Sequence, residues 1–454
     1  MSTIAAIATP QAAGGIAVIR ISGPDAFCIA DRVFQGAGGK QAASMPGYTC
    51  CYGSSHQKDA SLLDHGILTV FRAPHSYTGE DVAELSCHGG IYVTQQVLAA
   101  VLEAGAQPAE AGEFTKRAFL NGKVSLTQAE AVMDLIGASG QRELQFAQSV
   151  QDGALFRRVR RITDDLVHVL GDLAAWADYP EEDLPEVQPD HLEAGIQHIL
   201  EELQATLDTY SYGKILREGV SAVIVGKPNV GKSTLFNLLS GCQRSIVTEI
   251  AGTTRDMVEE RIRLGNVTLR LIDTAGLRET EDVIEQIGVS IAREQVQQAD
   301  LILAVFDATR ALDAEDLAMM EQIQGRTVLA IVNKTDGVPV LNTEKLEQTF
   351  DQVLYLSAKE GTGLESLRQA VETLFYTGSV TPEMGIVANE RQRGCLLTAR
   401  EQVLQALEAL HAGEFLDGIT VLLDEAAQAL LTLTGERVSE AVVNDVFARF
   451  CVGK

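Results

Sequence analysis

The sequence predicts a mixed protein in which a parallel-sheet α/β domain interrupts an all-α bundle, with a smaller α/β domain at the amino terminus. Three observations carry this. Residues 219–377 hold near-continuous apolar runs, Ser221–Val225, Val267–Ile272, Leu301–Phe306, Val328–Val332 and Val353–Leu356, with helical stretches between them. Strands buried on both faces read this way, and their alternation with helices implies a doubly wound parallel sheet. On either side of that block the apolar period is helical, and residues 1–120 instead alternate short β-like runs with turns.

In the amino-terminal part, Ile4–Ala8, Gly15–Ile21, His65–Phe71 and Asp81–Ser86 predict strands, and Val93–Ala104 predicts a helix. From Leu126 the pattern turns helical, with Leu126, Ala129, Ala131, Val132, Leu135 and Ile136 on one face and Leu166, Val169, Leu170 and Leu173 on another. Pro180, Pro185 and Pro189 punctuate it, and Asp190 suits an N-cap. Helical periods resume at Arg391–Ala412 and Ile419–Leu433. The predicted domains are 1–120, a helical domain in two parts at 121–218 and 378–454, and the inserted domain at 219–377.

Composition narrows the functional classes. The chain of 454 residues is 46% hydrophobic and 22% charged, enough for several buried cores. No apolar run reaches the ~18 residues that a membrane span needs. The start, Met1-Ser2-Thr3-Ile4, lacks the basic-then-apolar order of a signal peptide, so a cytoplasmic location is expected. Seven cysteines with no C-x-x-C spacing fit free thiols in a reducing compartment. The 62 acidic residues exceed the 36 basic ones, for a net charge of −26. Such a surface repels phosphate backbones, so work on nucleic acid would require a local basic patch or a partner.

The inserted domain carries the clearest chemistry. Gly226-Lys227-Pro228-Asn229-Val230-Gly231-Lys232-Ser233 fits G-x-x-x-x-G-K-[ST], after a strand and before a helix that takes in Thr234. Its backbone N–H groups and the helix N-terminus suit phosphates, Lys232 the β- and γ-phosphates, and Ser233 a Mg²⁺ ion. Asp273-Thr274-Ala275-Gly276 and Asn333-Lys334-Thr335-Asp336 each end a strand. A carboxylate at Asp336 accepts from the N1 and 2-amino groups of guanine, a pair that adenine does not offer. Ser357-Ala358-Lys359 completes the expected base pocket.

With these motifs the domain resembles the Ras-like G domains of the TRAFAC class of GTPases, in the group that holds TrmE, Era, EngA, EngB and septins. In that resemblance the switch segment Ala251-Gly252-Thr253-Thr254-Arg255-Asp256, which follows the GTP-contacting Thr248-Glu249-Ile250, supplies Thr254, which joins Ser233 on Mg²⁺. Leu277 stands where Ras-like proteins carry a water-orienting glutamine, and no arginine finger is evident. The class places K⁺ where a finger would reach. This implies Asn229 as a ligand, with Thr248, Ile250 and Thr253 around it. Glu279, Glu281, Asp282 and Glu285 are acidic candidates for water positioning; the resemblance selects Glu285.

The resemblance extends over the whole chain to the TrmE (MnmE) family of tRNA modification GTPases. It is carried by Ala8-Thr9-Pro10, Arg20-Ile21-Ser22-Gly23, Ser76 to Asp81, Gly112 to Lys123 and the ending Phe450-Cys451-Val452-Gly453-Lys454. It implies a homodimer, a flavin- and NADH-using partner called MnmG (GidA), tRNA as substrate, and 5-formyl- or methylene-tetrahydrofolate in the amino-terminal domain. Arg20, Glu80, Lys123 and Lys454 match the folate-contacting positions, and Cys451 is implied in the modification chemistry. Many members carry Gly-Arg-Gly-Gly in the first loop, whereas this chain has Ala12-Ala13-Gly14-Gly15. An Era- or EngA-like ribosome-assembly GTPase shares the G domain, but the basic RNA-binding appendage expected of it is not seen here.

Overall fold

The computed structural model describes residues 1–178, 189–241, 259–272, 296–375, 381, 384–448 and 450–453. These fall into two compact units, each assembled from separated segments. The first holds 1–133, 150–203 and 395–454, and the second 134–149 and 204–394.

The first unit opens with β1 (Ile4–Ile7), β2 (Ile16–Ser22), α1 (Ala26–Val33), β3 (Phe34–Gly36), β4 (Thr49–His56), β5 (Leu62–Phe71), β6 (Val82–His88), α2 (Ile91–Glu103), β7 (Gln107–Pro108) and α3 (Glu113–Leu120). The strands form a sheet in the order β3-β4-β5-β6-β2-β1-β7, antiparallel except for β1 with β7. Alternate residues Ile19, Ile21, Leu68, Val70 and Leu85 bury one face under Phe27 and Ile29 of α1 and Val97 and Val101 of α2. The sequence reading finds β1, β2, β5 and β6 but misses β4. Its Thr-Cys-Cys-Tyr-Gly-Ser-Ser-His run lacks the aliphatic alternation, and pairing with β5 imposes the strand.

The helices that follow are α4 (Leu126–Gly137), α5 (Gln141–Gln151), α6 (Ala154–Asp178), α7 (Pro189–Leu207) and α8 (Tyr210–Glu218). Within the first unit, Leu126, Ala129 and Val132 of α4 share a core with Val443, Val446, Phe447 and Phe450 from the end of the chain.

In the second unit come β8 (Val220–Val225), α9 (Lys232–Gly241), β9 (Glu259–Leu264), β10 (Val267–Ile272), β11 (Leu301–Asp307), α10 (Ala314–Ile323), β12 (Val328–Asn333), α11 (Glu344–Thr349), β13 (Val353–Tyr355) and α12 (Leu364–Phe375). The sheet order is β13-β12-β11-β8-β10-β9. Successive residues of β11 and β12 face opposite cores. Leu303, Val305, Leu329 and Ile331 lie with Leu235, Leu367 and Val371, whereas Ala304, Phe306, Ala330 and Val332 lie with Met320, Ile323 and Leu346. All pairings are parallel except that of β9 with β10. That edge strand is absent from the sequence reading because Glu-Glu-Arg-Ile-Arg-Leu is mostly charged, though Ile262 and Leu264 alternate ahead of a Gly265-Asn266 turn.

The chain closes with α13 (Glu390–Ala412), α14 (Leu416–Thr434) and α15 (Glu440–Ala448). Helix α14 packs along α6, so helices from both sides of the inserted block share a unit. In the second unit α8 meets the segment before α13, where Val387 N donates to Thr209 Oγ1 at 3.0 Å.

A Cβ at Gly213 of α8 would lie 2.0 Å from Val387 O, which is backbone and cannot rotate away. Gly213→Ala is therefore expected to destabilise the second unit by about 1–3 kcal/mol, despite alanine's better helix propensity. Denaturant unfolding checks this, and unchanged or raised stability would contradict the close approach.

Candidate nucleotide site and amino-terminal site

The loop after β8 is bent by backbone conformations that few residues tolerate. Gly226 has φ +150°, Asn229 +64° and Gly231 +100°. Glycine is required at two of these places: a Cβ would lie 2.6 Å from Val305 O at Gly226 and 2.2 Å from Asn333 Nδ2 at Gly231. The loop ends at the start of α9, whose first-turn N–H groups and dipole favour an anion. Lys232 Nζ lies across the loop, donating to Gly226 O at 2.6 Å and Lys227 O at 2.7 Å. Ser233 and Thr234 are exposed on the helix's first turn. No hydrogen bond ties the Asn229 side chain to the described residues, and it too is exposed.

Lys227 turns away from the loop to Asp313 at 2.5 Å and Glu315 at 2.7 Å, and these pairs raise its pKa. Asp313 caps α10 by accepting from Glu315 N and Asp316 N. The Lys227 ammonium, aided by those N–H groups, holds its carboxyl down at about 2.

The second half of the candidate site is built from the ends of β12 and β13. Asn333 is 2% exposed; its Nδ2 donates to Val230 O and its Oδ1 accepts from Ala358 N, both at 2.9 Å. Lys334 follows with φ +64°, its Nζ 2.6 Å from Asp307 Oδ2. Ser357 Oγ donates to Asp336 Oδ1 at 2.7 Å, and this bond lowers the Asp336 pKa. Thr335 N bonds Leu356 O at 3.4 Å, and Lys359, exposed, adds positive potential near Asp336. Asn229 to Thr234, Asn333 to Asp336 and Ser357 to Lys359 thus come together at the carboxyl edge of one parallel sheet, where such folds bind ligands. Thr248, Glu249, Ile250, Ala251, Gly252, Thr253, Thr254, Asp273, Thr274, Ala275, Gly276, Leu277 and Glu285 lie outside the described residues.

In the amino-terminal domain Arg20 pairs with Glu84 at 2.8 Å, directly across the β2–β6 ladder, and its guanidinium lies over Tyr77 and Phe114. Glu80 accepts from Ser22 Oγ at 2.7 Å and from Arg117 Nη1 at 3.1 Å. Arg117 is 3% exposed and also pairs with Glu113, a buried cation that the sequence reading did not single out. Burial pushes the Tyr77 hydroxyl up, although it bonds Thr115 Oγ1 at 2.8 Å. Lys123 Nζ donates to Pro74 O at 3.0 Å. The carboxyl end reaches the same domain: Val452 bridges Ala111, Gly112 N donates to Cys451 O at 3.3 Å, and a Cβ at Gly453 would lie 2.3 Å from Ile7 O. Cys451 is exposed there, and Lys454 lies outside the described residues.

A Gly226–Ser233 loop at a helix N-terminus, joined through Asn333 to the loop that carries the Asp336 carboxylate, is the arrangement of a P-loop nucleotide-binding domain. Comparison with known proteins agrees. A family model described as GTP-binding protein TrmE N-terminus matches residues 3–123, and one described as MnmE helical domain matches 126–451. The chain is 41% identical over 461 aligned residues to a tRNA modification GTPase MnmE of Bacillus velezensis. It is 40% identical over 459 to the one of Bacillus subtilis, with all of both chains covered in each case. The chain belongs to the MnmE (TrmE) family of tRNA modification GTPases.

Asp336→Asn replaces the double acceptor with one acceptor and one donor. It is expected to weaken GTP binding by about ten- to a hundredfold and to improve xanthosine triphosphate binding, since xanthine carries a carbonyl where guanine has its 2-amino group. Competition binding checks both, and unchanged GTP affinity would remove Asp336 from the base pocket. Because the Ser357 hydroxyl depresses its pKa, the Asp336 contribution is lost only as pH falls through that lowered value.

Proposed function

We propose that this chain hydrolyses GTP in a K⁺-stimulated manner and uses it to modify tRNA with a partner protein. With the flavoprotein MnmG (GidA), it adds an aminomethyl or carboxymethylaminomethyl group to C5 of the wobble uridine of certain tRNAs. The observation that carries this reading is similarity to the MnmE proteins along the entire chain, beyond the G domain alone. The proposed domains are those of the sequence: 1–120 for folate and dimerisation, 121–218 and 378–454 helical, 219–377 for GTP. The protein is proposed to be a cytoplasmic homodimer; among the described residues no helix is long and apolar enough to cross a membrane. MnmG joins it in a heterotetramer or larger assembly, and the acidity of this chain leaves much of the tRNA contact to that partner.

In GTP hydrolysis the chain's own groups bind and orient. The Gly226–Ser233 backbone and α9 receive the phosphates, with Lys232 moving from the loop carbonyls to the β- and γ-oxygens. Ser233 and Thr254 would hold Mg²⁺, and Ser233, exposed at the first turn of α9, suits that role. Asn229 has a side-chain oxygen with no bond to the described residues, presented by a fixed left-handed backbone. That fits a K⁺ ligand, completed by Thr248, Ile250 and Thr253; the ion would offset negative charge that spreads in the transition state. Glu285 is assigned to orienting the attacking water.

In the amino-terminal domain Arg20 lies over the Tyr77 ring and pairs with Glu84, while Arg117 pairs with Glu80 and Glu113. This donor set fits a reduced folate, whose amino-pyrimidine edge seeks a carboxylate and whose glutamate tail seeks cations. Methylene-tetrahydrofolate would supply the one-carbon unit. Arg20, Glu80, Lys123 and Lys454 are assigned to binding it, with Cys451 beside them.

Hydrolysis at saturating GTP is expected to be fast in K⁺ and slow in Na⁺ at equal ionic strength. Asn229→Ala should lose that stimulation while binding GTP within a few-fold of normal, and equal rates in the two salts would sink the K⁺ assignment. Cells lacking the protein should lose the modified wobble uridine from their tRNA. Complementation with Cys451→Ser should leave it lost although that variant's GTPase rate stays near normal. Full modification in either strain would overturn the corresponding assignment.

A further inference from the structure

We propose that Asp307 is a positioning residue for guanine nucleotides that acts through Lys334. It belongs to none of the nucleotide motifs. Strand β11 runs through the fully buried Leu301 to Phe306 and then ends in this carboxylate, itself only 8% exposed. A charge in such a place needs partners to persist. Asp307 Oδ1 accepts from Thr309 N at 2.9 Å and Thr309 Oγ1 at 2.7 Å, which fixes the plane of the carboxylate. Oδ2 is then aimed at Lys334 Nζ, 2.6 Å away. Burial by itself would raise the Asp307 pKa, and the bonds from Lys334 and Thr309 override it and hold the group ionised.

Lys334 stands between two pinned residues. Asn333 is tied to the phosphate loop and to Ala358, and Asp336 is tied to Ser357. The Lys334 backbone is held left-handed, and its side chain remains 38% exposed. A free lysine stem samples many rotamers, and ordering it against a purine costs binding free energy. With its ammonium anchored on Asp307, the methylene stem is already extended when nucleotide arrives. The effect is uniform: it concerns the base, so GDP and GTP benefit alike and the phosphoryl chemistry does not.

The inference rests on the assignment of the Asn333–Asp336 loop to guanine. In the full-length protein, Asp307→Asn keeps the acceptor for Thr309 and removes the charge facing Lys334. It is expected to raise Kd for GDP and GTP by the same factor, about tenfold, with kcat at saturating GTP within about twofold. In a Lys334→Ala background the same change should add nothing, because the group it acts through is gone. An unchanged Kd overturns the proposal. So does an equal loss in the Lys334→Ala background, which would mean that Asp307 only shapes the Thr309 turn. If the Asn variant does not fold, Asp307→Glu, which keeps the charge but moves it by one methylene, is read by the same cycle. Failure of the unaltered protein to bind GDP at all would instead remove the guanine assignment.

Discussion

The side-chain amide of Asn333 holds the candidate nucleotide site together, because it binds two other loops at once. It donates to Val230 O in the phosphate loop and accepts from Ala358 N in the loop after β13, in a place that water scarcely reaches. Buried peptide groups left without partners are costly, so the two bonds fix the separation of loops from three different strands. The same contact explains a glycine. Val230 lies beside Gly231, and a side chain there would collide with the Asn333 nitrogen. Parallel pairing of β8, β11, β12 and β13 brings these loop ends to one edge in the first place.

Around this centre the chain spends charge in defined pairs, despite its large acidic excess. Arg310 makes two bonds to the fully buried Asp316, whose other role is to cap the same helix turn that Asp313 caps. Asp313 in turn holds Lys227 of the phosphate loop. The result ties the start of α10 to the Gly226–Ser233 loop. A half-exposed ion pair such as Lys227–Asp313 adds little stability by itself. Here the capping geometry gives it direction, which matters more for a site than for the overall fold.

A second buried carboxylate anchors the β9–β10 hairpin within the same unit. Glu143 accepts from Ser139 N, Ser139 Oγ, Gly140 N and Thr268 Oγ1. Arg263, paired across the ladder from Thr268, donates to Ser139 O. The residues just before α5 thus grip both strands of a hairpin whose outer strand, β9, is too charged to form a core strand by itself. The amino-terminal domain uses the opposite sign: the buried Arg117 gathers Glu80, Glu113 and the Ser2 carbonyl around one guanidinium. That cluster lies on α3, whose N-cap Gly112 also receives the carboxyl-terminal segment.

The sequence by itself carries the loop chemistry on which the proposed nucleotide site rests. Gly226 to Ser233 and Asn333 to Asp336 are contiguous, and their backbone requirements and acceptor geometry are local properties of those residues. It likewise determined the parallel strands, whose apolar runs are largely buried except at the edge strand β13, and the helical character of the flanking segments. Tertiary structure alone decided what is joined over long separations. The Asp307–Lys334 pair, the reach of Lys227 to Asp313, the Arg117 cluster and the docking of Val452 on Ala111 each unite residues that carry no mutual signal in the chain. Strands β4 and β9 belong with them, since half-polar segments become strands only when a neighbour supplies the ladder. The physical reason is the same throughout: a buried charge or an unpaired peptide group has a meaning only once its partner is known.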